Sequence, residues 1–391
     1  MGTGGKGVIP AGGIPDLQPG GAVGISLIEG DMDLSATGTV THIDNGRVYA
    51  FGHPFYNLGP TQFPMHKAFV HTVFPNLYVS SKVASPVEAA VGTIDQDRLT
   101  AVAGRIGKAP RMIPISVTLE TSRGQQRKYA FRMVDDELFS PLLAYVSMLS
   151  VLQANERAFG TATIHLEAQL TLKDGRTVDL EDVFADDQPA AEAAALVAAP
   201  LAYLLSNDFE PVNVEKVDVV ASSYETNQSA VLERAWVERT GPVRGGSTVN
   251  LKLLLRTYRG DVVEESVPFT LPTNARPGAY TLLVADAPTL TVMEQREMRQ
   301  SFLPKDLDQL IRAINALRHN NHVYLRLLRA EEGAIVGGEF LQSLPPSVLS
   351  VMGTAQGDDV VPTRTASIWE HDLPTDYAIS GSRTLTLTLE R

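Results

Sequence analysis

The chain has 391 residues, 44% of them apolar and 20% charged, and a net charge of −12. That length suits about two or three globular domains, and the summed charge repels nucleic-acid phosphates and anionic lipid headgroups. With no cysteine, disulfides, thiolate metal sites and cysteine nucleophiles are excluded.

The opening "MGTGGKGVIPAGGIPDLQPGG" (1–21) is rich in glycine and proline and reads as a flexible segment. It lacks the apolar stretch of a signal peptide, Lys6 stands where a myristoylation pattern needs Ser or Thr, and its abrupt start reads as a cut within a longer protein. From Ala22 to about Glu120, runs such as "AVGISLIEG", "GTVTHID", "RVYAFG", "KAFVHTVF", "LYVSSKVA" and "IPISVTLE" read as short strands. Turn signals separate them, and Asp44-Asn45-Gly46 predicts a tight hairpin. Six or more such strands suggest a small barrel or sandwich, and a small β-barrel is expected over 22–128.

A mixed α/β module is expected over 129–228. Its elements are a helix at 136–157 with Pro141 near its start, a hairpin turning at Lys173-Asp174-Gly175, a helix near 189–206 and the alternating strand "VNVEKVDVVASSYE". The apolar stretch 190–206 is too short for a membrane span and is interrupted by Glu192 and Pro200. Strands and turns alternate again over 229–292, predicting an immunoglobulin-like sandwich. A helix at 304–320 and the strands "HVYLRLLRA" and "SRTLTLTLER" fill 293–391. The expected class is α+β, mostly β: a small barrel, a mixed module and a sandwich.

Four histidines, His42, His53, His66 and His71, fall close together. His53 stands between Gly52, which removes side-chain bulk, and Pro54, which biases its neighbour towards extended backbone. Such a histidine suits a general base and also suits a structural turn. The histidine spacing matches no common zinc pattern, so neither a metal nor a cofactor is assigned. "DLEDVFADDQ" (179–188) lacks the order of a calcium loop and reads as a solvated acidic turn. Arg259-Gly260-Asp261 reads as a hairpin turn, and Trp236 and Trp369 as packing residues. Ser80 and Lys82 share a strand face, which allows a serine–lysine pair, although an exposed strand edge is the simpler reading.

"GTVTHIDNGRVYAFGHPF" (38–55) resembles the histidine segment of the SpoIVB peptidase family, the serine peptidases named after stage IV sporulation protein B. "VGTIDQDRLTAVAGRIG" (91–107) is similar to that family's Gly-x-Ile…Gly block, and "PGGAVGISLIEGD" (19–31) and "PMHKAFVHTVFP" (64–75) to its large multidomain bacterial members. The likeness covers about residues 15–120. It implies a chymotrypsin-like half-barrel, an extracytoplasmic (periplasmic or envelope) location, a protein or peptide substrate, and His53 as the catalytic base.

The family's serine segment, Gly-x-Ser-Gly-Ser-Pro, is absent. The nearest string is "ISGSR" (379–383). By the resemblance, a serine-bearing segment lies upstream in the same protein, and this chain alone is inactive. Asp44, Asp95 and Asp97 are candidates for the orienting acid, and none matches the family's acid. An alternative reading is a non-catalytic, envelope-associated module that binds proteins; a metal-dependent hydrolase using the clustered histidines is a third.

Overall fold

Alternation of apolar and polar residues accounts for most strands in the computed structural model. It describes residues 15–390 except 79, 156–160, 239–242, 298–303, 337–338, 342–343, 346, 349–350 and 352–359. The chain is mostly β and divides into two compact units. The first takes Met1–Ala158, Glu167–Leu180 and Ala190–Ser222; the second takes Phe159–Leu166, Glu181–Pro189 and Ser223–Arg391.

The first run of strands is β1 (Ala22–Gly30), β2 (Leu34–Asp44), β3 (Arg47–Ala50), β4 (Gly59–Phe74), β5 (Ser81–Arg98), β6 (Ala101–Ile106), β7 (Met112–Glu120) and β8 (Gln126–Val134). Next come α1 (Phe139–Asn155), β9 (Thr163–Leu172), β10 (Thr177–Phe184), α2 (Pro189–Leu205) and β11 (Val214–Tyr224). These eleven strands make one sheet, in the order β10-β9-β11-β7-β8-β1-β2-β3-β6-β5-β4, with β1 also paired to β4.

The strands expected as a small barrel over 22–128 therefore do not stand apart from the rest of the sheet. The cause lies in β1, which is paired along both edges. One edge takes β2. On the other, Val23–Ile25 pair with Met65–Lys67 of β4, and Ile28–Gly30 pair with Phe131–Met133 of β8. A register shift between Ser26 and Ile28 marks the hand-over. Because β1 is buried along nearly its whole length, it sits inside a larger sheet. The expected boundary at 128/129 falls within β8, and β11 joins the same sheet by parallel pairing to β7, from Val217↔Ile115 to Ser222↔Glu120.

In α2, Ala193, Ala194, Val197, Leu201 and Leu204 are buried, the spacing of one helical face. Pro200 lies inside this helix without ending it. Among the described residues, no helix is long and apolar enough to cross a membrane.

The second unit adds β12 (Ser229–Glu238), β13 (Thr248–Thr257), β14 (Val262–Thr270), β15 (Gly278–Ala285), α3 (Ala287–Glu297), α4 (Leu307–Asn315), β16 (His322–Val336), β17 (Glu339–Leu341), β18 (Val360–Pro374), β19 (Ala378–Ser380) and β20 (Ser382–Leu389). One sheet runs β14-β13-β12-β19; the other runs β17-β16-β15-β20, with β18 on β16. They share one core. Leu251, Leu253, Leu255 and Phe269 enter it from the first sheet, and Leu282, Val284, Leu325, Leu327 and Leu387 from the second. Burying each such side chain stabilises the unit by about 1.5–3 kcal/mol relative to exposure.

The segment 229–292 does not complete two sheets of its own. β15 turns away from β14 and pairs with β16 and β20, and the expected boundary at 292/293 lies inside α3. Asp286 starts that helix, accepting the Thr289 N–H at 2.7 Å. The helix expected at 304–320 is shorter, Leu307–Asn315, capped by Asp306 accepting from Gln309 N.

Candidate active site

β2 and β3 meet at the predicted turn. Asn45 and Gly46 have φ of 47° and 78°, the two positive angles of a type I′ hairpin, so Asp44 is a turn residue. β3 ends at Ala50, and the next two residues, Phe51 and Gly52, also have positive φ, 74° and 75°. Such an angle is costly for an aromatic residue and needs outside support. It comes from two contacts. The Phe51 N–H donates to Thr39 O at 3.0 Å, and the Phe51 ring lies on Gly38, where an added Cβ would stand 2.1 Å from Phe51 Cδ1. At Gly52 an added Cβ meets nothing within 4 Å. Glycine is required there for its backbone angle and not for space beside the histidine.

This turn lifts His53 off the sheet into an exposed position. Its Nδ1 lies 2.8 Å from Pro54 O. A carbonyl can only accept, so Nδ1 carries the proton, and Nε2 keeps a lone pair free to take one. Among the described residues, no serine and no carboxylate hydrogen-bonds this imidazole.

The loop behind His53 is held by Asp97 of β5, which has no exposed surface. Its carboxylate accepts three backbone N–H groups: Phe55 at 2.8 Å, Tyr56 at 2.7 Å and Leu58 at 3.2 Å. Rings pack beneath. Phe63 lies 6.3 Å from Phe55 and 5.9 Å from Phe139, which is 5.2 Å from Tyr56. Asp97 thus fixes the backbone that follows His53, without touching the imidazole. Asp95 is committed elsewhere, paired with Arg47 at 3.1 Å and Arg105 at 3.4 Å.

The four clustered histidines do not converge. His42 stacks on Tyr49, and His71 Nε2 lies 3.0 Å from Ser85 Oγ. His66 is buried, with Nε2 2.7 Å from Glu29 Oε1 and Nδ1 3.3 Å from Glu88 O. Glu29 also takes Arg132 at 2.8 Å. Burial pushes the Glu29 carboxyl up, but the His66 and Arg132 contacts outweigh it and hold the group below the usual carboxylate range. Glu29 thereby ties β4 and β8 together where β1 changes partner. Among the described residues, no group of three His, Asp or Glu side chains is placed to hold a metal ion.

The serine–lysine pair does not form. Ser80 Oγ bonds to the Asn76 backbone, and Lys82 Nζ donates to Thr39 Oγ1. Ser380 and Ser382 of "ISGSR" lie in β19 and β20 of the second unit. Arg259-Gly260-Asp261 is the β13–β14 turn, closed by Thr257 N donating to Asp261 O at 2.9 Å. Trp369 packs on Phe269 at 4.8 Å between ring centres.

The acidic stretch 179–188 differs from expectation at Asp182. This residue is buried on β10 and accepts the N–H groups of Asn320 at 2.6 Å and Val183 at 2.7 Å. Burial dominates those bonds and pushes its carboxyl up to about 6. Burial, together with the neighbouring His319, moves His322 down.

Sequence reasoning marked His53 and left Asp97 as one of several loop acids. The missed signal is the run of loop residues needing N–H acceptors after His-Pro, which a nearby buried carboxylate can supply. Comparison with protein-family models, with curated proteins and with solved structures gives no match.

Proposed function

We propose that this chain carries the histidine half of a SpoIVB-like serine peptidase site, with His53 as general base and the serine supplied by an upstream segment of the same protein. The observation that carries this reading is the imidazole itself: exposed, its Nδ1–H engaged by Pro54 O, its Nε2 unengaged among the described residues. A serine hydroxyl brought to Nε2 gives up its proton as its oxygen attacks a peptide carbonyl, and the imidazolium then returns that proton to the leaving amine. Pro54 O takes the orienting place that a carboxylate holds in a Ser-His-Asp triad. Being neutral, it stabilises the imidazolium less.

The resemblance over about residues 15–120 supports the reading, as does the loop clamp at Asp97. An extracytoplasmic location and a chymotrypsin-like relationship of β1–β6 rest on that resemblance alone. An immunoglobulin-like kinship of residues 229–292 is supported by the core to which β12–β15 contribute and by Tyr280, whose hydroxyl donates back to Arg276 O at 2.7 Å.

The second reading is a non-catalytic, protein-binding module. It is favoured by the lack of any serine or carboxylate on the His53 ring among the described residues. The two part when the chain is produced together with its upstream coding sequence and treated with a fluorophosphonate probe. Labelling of a Gly-x-Ser-Gly-Ser-Pro serine that is lost in His53→Ala supports the peptidase, whereas no labelling of the longer product leaves the binding module.

A further inference from the structure

The sequence-based exclusion of membrane surfaces rests on summed charge, and the charge is unevenly spread. From Asn45 to Val87 there is no aspartate or glutamate, although the chain has 45 of them in 391 residues. The same stretch carries Arg47, paired with Asp95, Lys67, paired with Asp16 and Glu88, and Lys82, which lies next to the β4–β5 turn.

Most of it forms the β4–β5 hairpin. β1 pairs with β4 no further than Lys67, and β6 pairs with β5 only from Gly92. Beyond those points β4 and β5 pair only with each other, out to Phe74↔Ser81. This two-stranded arm extends about 20 Å at ~3.3 Å per residue. The arm leans on the sheet along its length: Pro86 lies against Gly24 near its base, and Lys82, one residue from the last strand pair, donates its Nζ to Thr39 Oγ1.

The apex is apolar and bare. Leu77 is completely exposed, Tyr78 is 95% exposed, and Phe74 and Val73 stand out beside them. Its backbone polar groups are partly satisfied from within. Asn76 Oδ1 accepts the Tyr78 N–H at 2.8 Å, and Ser80 Oγ lies 3.3 Å from Asn76 N. That lowers the cost of bringing this turn against an apolar medium, where an unpaired backbone group is expensive.

We propose that the apex of the β4–β5 arm docks on a phospholipid bilayer surface, without crossing it. Phe74, Leu77 and Tyr78 enter the headgroup–acyl boundary, and Lys82 lies at headgroup level. Two observations favour a bilayer over a protein. A convex apex of a few side chains falls far short of the roughly 20–30 residues a side of a standard protein interface, whereas aromatic and aliphatic anchors of this kind hold at a lipid boundary. The acid-free collar, in an otherwise acidic chain, matches anionic phosphates and would not match another copy's apex.

The test is co-sedimentation of the whole chain with vesicles of phosphatidylcholine and phosphatidylglycerol. Leu77→Ser/Tyr78→Ser is compared with Leu99→Ser, which removes an exposed leucine from the β5–β6 turn. The expected result is binding by the wild type and by Leu99→Ser, with the double variant weaker by about tenfold or more. Three outcomes overturn the proposal: no binding by the wild type, equal binding by the double variant, or concentration-dependent self-association that the double variant loses, which assigns the apex to a second copy.

Discussion

Asp97 Oδ2 lies 2.7 Å from the amide nitrogen of Tyr56, and the same carboxylate holds Phe55 and Leu58. One buried side chain therefore sets the path of the loop that presents His53. Asp97→Ala leaves three N–H groups without their acceptor, and a loss of about 2–4 kcal/mol is expected in urea unfolding. The His53 ring resonances should shift with it. An unchanged unfolding midpoint would show that the loop holds itself.

Gly38 and Phe51 form a second constraint on the same loop. Gly38→Ala drives a methyl into the Phe51 ring and should cost about 1–3 kcal/mol by overpacking. Phe51→Ala removes that clash. In the double variant the two costs should therefore be markedly less than additive, as expected for residues in contact. Simple additivity of the two unfolding free energies would contradict the contact.

Asp182 links stability to pH. Its folded-state pKa of about 6 lies above its ordinary 3.8. Its contribution is fully present below the lower value and is lost as pH rises through the higher. The size is about 3 kcal/mol, at ~1.4 kcal/mol per pKa unit. Asp182→Asn keeps an oxygen for Asn320 N and Val183 N while removing the charge. Relative to wild type, the variant should gain stability between pH 4 and pH 8, by denaturant unfolding at each. A relative loss over that interval would mean that the carboxylate is stabilised as an anion.

Glu29 has the opposite sign. Its folded pKa is depressed, so its stabilisation is present above the ordinary carboxylate value and disappears as pH falls through the folded one. Glu29→Gln should cost most at neutral pH, with the gap to wild type closing on acidification. A gap that widens in acid would remove Glu29 from the clasp between β4 and β8.

Local features of this fold were legible where one residue type answers one local demand. Asn45-Gly46 supplies two positive φ angles, and β13 buries Val249, Leu251, Leu253 and Leu255 at period two. Sheet membership was not legible, because β1 changes partner through pairings with β4 and β8 that lie far away in sequence. α3 was not anticipated: Thr289, Thr291 and Val292 are β-branched, which lowers helix propensity, and the helix start depends on Asp286. At the site, His53 carried a visible signal in Gly-His-Pro. Asp97 did not, since a strand carboxylate looks solvated until the loop it clamps is known.

His53 is proposed as a preset base, and no serine hydrogen-bonds it among the described residues. Treating the purified chain with a fluorophosphonate probe, beside His53→Ala, tests this most directly. The account predicts that neither protein is labelled. Labelling of the wild type that disappears in His53→Ala would contradict it, because a serine within this chain would then complete the site.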